Sequence, residues 1–329
     1  MRAHLVADSG CLVGEAPLWV SRLARLLWTD LLQPHVHVLD ETSGTWQTLR
    51  SETPIMALGE TDDGGLVVAT ATRIDLLAAR LEPQAALGPP DVRFNDGACG
   101  PDGRFWVGTK STTGAPGQGH LLRIELGHAD IMLSGVSVAN GLGWSPDDAT
   151  MYFTDSAAGE VHAFAFHQES GRISEQRSFV LIDEGIGRPD GLAVDVDGGV
   201  WIALWGGSRI QRFDETGRLS EEVFLPVPYV TSCAFGGQSL DKLYVTTAST
   251  MAFPIDVSQG AGGLFVVEPG ISGRPVGHYV EDRRTRNSPR DPTVSLSRPV
   301  EAQDERKGTS HEAASSFQIW WDRHRHVGL

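Results

Sequence analysis

Four side chains with oxygen or amide chemistry, Glu15, Asn95, Asn140 and Asp190, stand at one recurring place in this 329-residue chain, ten or eleven residues before a short apolar run. Carboxylate and carboxamide oxygens are hard ligands, and several of them converging on one point suit a divalent cation. Asn-Gly, Asp-Gly and Glu-Ala pairs are also ordinary turn chemistry, so none of the four is informative alone. Their recurrence at one repeat position, each flanked by small or apolar residues, is what points to a site. In the third unit Asp96-Gly97 matches Asp190-Gly191 as well as Asn95 does by counting, which leaves that register open by one residue.

The elements that must bring these groups together are strands. The apolar runs are LLWTD (26–30), LVVAT (66–70), FWVGT (105–109), MYFTD (151–155), VWIAL (200–204) and LYVTT (243–247), with spacings of 40, 39, 46, 49 and 43 residues. That is the period of four-stranded propeller blades. Asp/Gly-rich turns precede them, TDDGG, GPDGR, SPDDA and DVDGG among others, as tight hairpins require. Long stretches of helical periodicity are scarce. The reading is therefore all-β: a six-bladed β-propeller with four-stranded blades over residues 1–280, whose first strands line a central channel. A sandwich with accidental regularity is the weaker alternative. HLVADSG near the N-terminus is placed as the outer strand of the last blade, fastening the ring.

Composition narrows the functional classes. The chain carries 42 acidic and 27 basic side chains, net −15, which argues against nucleic-acid or anionic-membrane surfaces. No apolar run is long enough to span a bilayer and no secretory leader is visible. Cys11, Cys99 and Cys233 are few and far apart, which fits reduced thiols and a cytoplasmic location. Residues 281–329 hold 9 basic and 8 acidic side chains and few apolar ones, and are read as a disordered C-terminal extension. Phe317, Trp320 and Trp321 are the only residues there suited to docking.

The segments LVGEAPLW (12–19), RFNDGACGPDGRFWVGT (93–109), SVANGLGWSPDDATMYFTDS (137–156), GRPDGLAVDVDGGVWIALW (187–205) and TSCAFGG (231–237) resemble the SMP-30/gluconolactonase family, over roughly residues 5–275. The resemblance implies a six-bladed propeller with one divalent metal ion in its channel and hydrolysis of sugar lactones. By motif, Glu15, Asn140 and Asp190 match metal ligands, Asp190 also matches the catalytic acid/base, and Arg93 and Asn95 match substrate-binding positions. Regucalcin-like members carry a Glu in the loop after the third repeat's strand; here KSTTGAPGQGH (110–120) has no carboxylate, so the substrate set is expected to differ.

These residues can support that chemistry. A cation on Glu15, Asn140 and Asp190 would polarise a lactone carbonyl. Asp190 or a hydroxide on the ion could serve as base, while Arg93 and Asn95 offer donors and acceptors to sugar hydroxyls. The ion is expected to be Ca2+ or Zn2+, with Mg2+, Mn2+ or Fe2+ also accommodated. A non-catalytic metal-binding propeller, or an esterase or phosphotriesterase in the same channel, are the competing readings. The partner is a small-molecule sugar lactone, with oligomeric state open. DVDGG lacks the Glu that an EF-hand loop needs at position twelve, where Gly206 stands. His35 and His37 share a strand face with no third ligand nearby, and packing is the favoured role for them.

Overall fold

Hairpin turns set the blade repeat. In TDDGG, GPDGR and DVDGG, residues Gly64, Gly103 and Gly198 adopt φ of +84°, +77° and +81° and donate their N–H to the carbonyls of Thr61, Gly100 and Asp195. Asp148 takes the same place in SPDDA at φ +58°, a conformation that a short polar side chain tolerates. The Asp side chains of two of these turns also receive an indole N–H from the following strand: Trp106 donates to Asp102 at 3.3 Å and Trp201 to Asp195 at 2.8 Å. Each tryptophan thus fills a blade core while fixing its turn.

The computed structural model describes residues 1–77, 91–249, 259–280 and 315–325. The hairpins join an inner strand to a second one: Gly14–Val20 to Arg25–Asp30, Ile55–Glu60 to Leu66–Thr70, Val92–Cys99 to Phe105–Ser111, Ala139–Trp144 to Thr150–Asp155, Arg188–Val194 to Val200–Trp205, and Val230–Gly236 to Lys242–Thr247. The six inner strands neighbour one another in a closed circle, so the fold is the six-bladed propeller expected. Five blades have four antiparallel strands; the second has three among the described residues, and residues 78–90 after it lie outside them.

The ring closes as the N-terminal sequence suggested. His4–Ala7 pairs antiparallel with Leu264–Val267, completing the sheet whose inner strand is Val230–Gly236. A second closure was not anticipated. Residues 272–280 cross one end of the channel, from a bridge between Gly273 and Asp195 to a parallel bridge between Tyr279 and Thr61. On the way Arg274 donates to the carbonyls of Trp144 and Ser145 and pairs with Asp148.

The expectation of a disordered extension over 281–329 is corrected near its end. Ser316–His324 is an α-helix, with the Ser315 side chain accepting the N–H of Gln318 as its cap. Phe317, Trp320 and Trp321 fall at i, i+3 and i+4 and bury one face against Val20, Leu27, Val38, Leu58 and Val68 of the first two blades. The Arg22 and Arg25 guanidinium groups lie over Trp321 and Trp320, each 5.2 Å from the ring centre. Nine residues are too few to read as a helix within a polar surround, which is why the sequence pattern was missed. Residues 281–314 and 326–329, including His326, lie outside the described residues. Because Trp321 is fully buried, Trp321→Ala should lower unfolding free energy by about 3–5 kcal/mol in urea titration; a loss below about 1 kcal/mol would mean that the helix contributes no core.

Candidate active site

Every inner strand breaks its ladder at the same level. Pairing jumps from Glu15–Thr29 to Leu18–Leu27, from Phe94–Thr109 to Gly97–Val107, from Ala139–Asp155 to Leu142–Phe153 and from Pro189–Leu204 to Leu192–Ile202. In these four blades two inner-strand residues oppose one: Ala16-Pro17, Asn95-Asp96, Asn140-Gly141 and Asp190-Gly191. The second and sixth blades have shorter irregularities at Met56 and Thr231. A bulge turns side chains out of the alternating sheet pattern, and here it turns them towards the axis. It also fixes the register left open in the third unit, since Asn95 is the counterpart of Asn140 and Asp190.

The glycines of the Asn-Gly and Asp-Gly pairs serve close approach, not turns. A Cβ on Gly141 would meet the Asp190 carbonyl and the Leu192 N–H nitrogen at 2.7 Å, and one on Gly191 would meet the Ser232 side chain at 2.1 Å. Only glycine lets neighbouring inner strands approach this closely.

A cavity of about 320 Å3 opens above the bulges and is lined by Glu15, Arg93, Asn95, Asn140 and Asp190, the five residues singled out in the sequence. Lys110, Arg188, Ser156, Trp205, Leu31 and Leu32 complete its wall. Asn140 is oriented from both sides: its Nδ2 donates to Ser156 Oγ at 2.7 Å, and its Oδ1 accepts from Asn95 Nδ2 at 2.7 Å. Asn95 Nδ2 also donates to the Ala139 carbonyl at 2.8 Å. Glu15 Oε2 accepts the N–H of Ala16 at 3.1 Å, where Ala16 holds a left-handed φ of +49°. Among the described residues, Asn95 Oδ1 and Asp190 Oδ1 are buried with no hydrogen-bond partner.

Electrostatics mark this cluster more sharply than packing does. Burial pushes Glu15 well above the usual carboxylate range, and the nearby Asp190 and Asp96 charges push it further. Asp190 rises for the same reasons, burial first and then Asp96, with Lys110 opposing. Asp96, whose Oδ1 accepts the Gly97 N–H, is raised to about 6 by burial. Burial also brings Lys110 down to about 8, with Arg93 acting in the same direction.

An orphaned carboxylate oxygen, an orphaned amide oxygen and two mutually repelling buried acids are what a hard cation would satisfy. The donor set fits such an ion: carboxylates from Glu15 and Asp190, with the second lone pair of Asn140 Oδ1 free of the Asn95 bond. Among the described residues no three His, Cys, Asp or Glu side chains cluster as a metal site. The hub offers two carboxylates and two carboxamides instead.

The match to known proteins follows the same residues. The profile of the SMP-30/Gluconolactonase/LRE-like region matches residues 13–249. The chain belongs to this family. It is 32% identical over 274 residues to YvrE of Bacillus subtilis, provisionally named a sugar lactone lactonase, covering 80% of this chain and 94% of that one. It is 34% identical over 285 residues to the pentonolactonase XacC of Haloferax volcanii, covering 84% and 97% respectively. Among solved structures it superposes on a calcium-binding regucalcin of Agrobacterium tumefaciens with a TM-score of 0.77 at 24% identity, over 84% of this chain and 96% of that one, a likeness of fold.

Within this family chain, sequence reasoning missed Lys110 and Trp205. Both were legible by alignment of the second strands, where they stand one residue beyond Thr109 and Leu204, the counterparts of Asp30 and Asp155, at the level of Leu31 and Ser156. Those aspartates accept backbone N–H groups of the loops entering their blades, Leu12 and Val13 for one, Ser137 and Val138 for the other. Lys110 and Trp205 line the cavity together with Leu31 and Ser156 of the same level. His37 is buried on Trp28 and lies 3.2 Å from Cys11. Burial depresses its imidazole to about 4 and lifts the Cys11 thiol to about 12, so the pair is neutral packing, not an activated nucleophile.

The raised carboxylates carry a stability cost with a definite sign. Below the unfolded carboxylate pKa, about 4, both acids are protonated in either state. As pH rises towards and through the elevated folded values, the unfolded chain releases protons that the folded one retains, and stability is lost. Asp190→Asn in chelator-treated protein should therefore gain about 1–3 kcal/mol near pH 8 and nothing near pH 4. Thermal unfolding at both pH values checks this.

Proposed function

We propose that this protein is a divalent-metal-dependent hydrolase that opens sugar lactones. The observation that carries the reading is the buried Asp190 with one carboxylate oxygen unpartnered, facing a cavity of about 320 Å3 shared with Glu15 and Asn140. Relatives over most of the chain that are named as lactonases support the substrate class. Glu15, Asn140 and Asp190 would hold the ion, and their all-oxygen donors suit Ca2+ first and admit Zn2+. When bound, the ion supplies Lewis-acid polarisation of the lactone carbonyl.

The chain's own groups supply the rest. The Asp190 carboxylate oxygen not held by the ion accepts a proton from a water as the water oxygen adds to the carbonyl carbon, giving a tetrahedral intermediate. Collapse of that intermediate breaks the bond to the ring oxygen, and Asp190 returns the proton to it, leaving the hydroxy acid. Asn95 and Arg93, which line the cavity, offer hydrogen bonds to the sugar hydroxyls. Trp205, Leu31 and Leu32 give the sugar ring an apolar wall and restrict water.

Replacing Asp190 with Ala should lower kcat/KM for aldonolactones by about 10²–10⁴-fold while the protein still melts cooperatively. Chelation should abolish turnover, and one added metal should restore it. An unchanged rate in the variant, or a preference for aryl esters or organophosphates over lactones, would overturn the assignment.

A further inference from the structure

The third blade carries two cations where the fold needs none. Arg93 and Lys110 are cross-strand partners on the inner and second strands, and both line the cavity. Directly opposed side chains share one face of a sheet, and like charges in that arrangement repel. Among the described residues neither is ion-paired. Arg93 donates through Nη1 to the Phe94 carbonyl at 2.9 Å and to Met56 Sδ at 3.2 Å, and among the described residues the Lys110 ammonium has no hydrogen bond. Elsewhere Arg22, Arg104, Arg212 and Arg274 each close on a carboxylate. Among the described residues the other basic side chains without an ion pair, such as Arg172, Arg177 and Arg218, are exposed, whereas Arg93 and Lys110 are part-buried at the cavity.

No structural duty explains Lys110. It stands one residue beyond the level of Asp30 and Asp155, which anchor entering loops, and in the third blade Thr112 ties the strand start by donating its N–H and hydroxyl to the Asp91 carbonyl at 2.8 and 3.0 Å. The charge count points the same way. Glu15 and Asp190 face Arg93, Lys110 and Arg188 across the cavity, and a divalent ion on the two carboxylates leaves the three basic groups in excess. Arg188 sits at the rim with Glu184 at 3.7 Å, so the buried excess belongs to Arg93 and Lys110. A neutral sugar offers hydroxyls, which do not balance that charge.

We propose that Lys110 and Arg93 form a subsite for an anionic substituent, so that the preferred substrate is a sugar lactone bearing a carboxylate, phosphate or sulfonate group. This rests on the lactonase reading of the same cavity. The reacting carbonyl lies at Glu15, Asn140 and Asp190, and the anionic end lies against the third blade. An ammonium and a planar guanidinium side by side give such a group several charge-assisted hydrogen bonds.

The test compares kcat/KM of the metal-loaded enzyme for gluconolactone, 6-phosphogluconolactone and glucarolactone, in wild type, Lys110→Met and Lys110→Arg. Calorimetric binding of glucose 6-phosphate against glucose supplies a readout without turnover. The wild type should favour the charged member of each pair by roughly 10- to 100-fold, the size of a charged hydrogen bond. Lys110→Met should collapse that ratio and Lys110→Arg should keep most of it. The advantage should shrink with added salt, and the phosphate and carboxylate arms separate the two chemistries. Equal rates on neutral and charged lactones, or a ratio that Lys110→Met leaves intact, would overturn the subsite and leave the lactonase reading standing. Lys110-dependent binding of the phosphorylated hexose without hydrolysis of any lactone would do the reverse.

Discussion

Burial of Glu15 and Asp190 beside one another, with Asp96 close by, is the constraint around which the molecule is built. The closed ring of strands buries both acids, so each is held well above its ordinary pKa, and among the described residues one oxygen of Asp190 has no partner. Nothing in the packing rewards such a cluster; apolar residues at those positions would give a more stable propeller. Strongly perturbed carboxylates in a cleft mark a candidate functional site, and the hub is that candidate here. The ladder breaks in the inner strands are the backbone counterpart of that cluster. They aim Asn95, Asn140 and Asp190 inwards, and the glycines beside two of them let adjacent strands crowd the axis.

The channel has two unlike ends. Residues at the starts of the inner strands form the polar cavity, while Leu18, Leu58, Trp144, Val194 and Phe235 further along form an apolar chamber of about 120 Å3. The segment Arg274–Gly277 lies across that apolar end. Asp96 belongs to the apolar side although its neighbour Asn95 belongs to the polar one, so a single bulge divides the two compartments. The N-terminal strand and the C-terminal helix act far from this, holding blades together at their outer surfaces.

Much of this was legible in the sequence because propeller repeats announce themselves through turn chemistry. The Asp-Gly turns and tryptophan-bearing second strands gave the blade number and the ring closure at His4–Ala7. Glu15, Asn140 and Asp190 were legible because the repeat places them at one level. What escaped had weaker local signals. Lys110 stands next to an apolar run and looks like a strand end until Leu31, Ser156 and Trp205, which share its level and line the same cavity, are aligned with it. The helix Ser316–His324 shows only one short apolar face, within a polar stretch whose composition suggested disorder. The crossing by residues 272–280 depends on long-range bonds, such as the one from the Tyr279 N–H to the Glu60 carbonyl, which no local pattern encodes.

The account stands or falls on whether the buried carboxylates share one ion. The most direct measurement is a calorimetric titration of chelator-stripped protein with Ca2+ and with Zn2+, run alongside Glu15→Gln and Asp190→Asn. One ion per chain for the wild type, with affinity lost in both variants, is the result expected. Absence of stoichiometric binding, or binding that survives removal of either carboxylate, would contradict it.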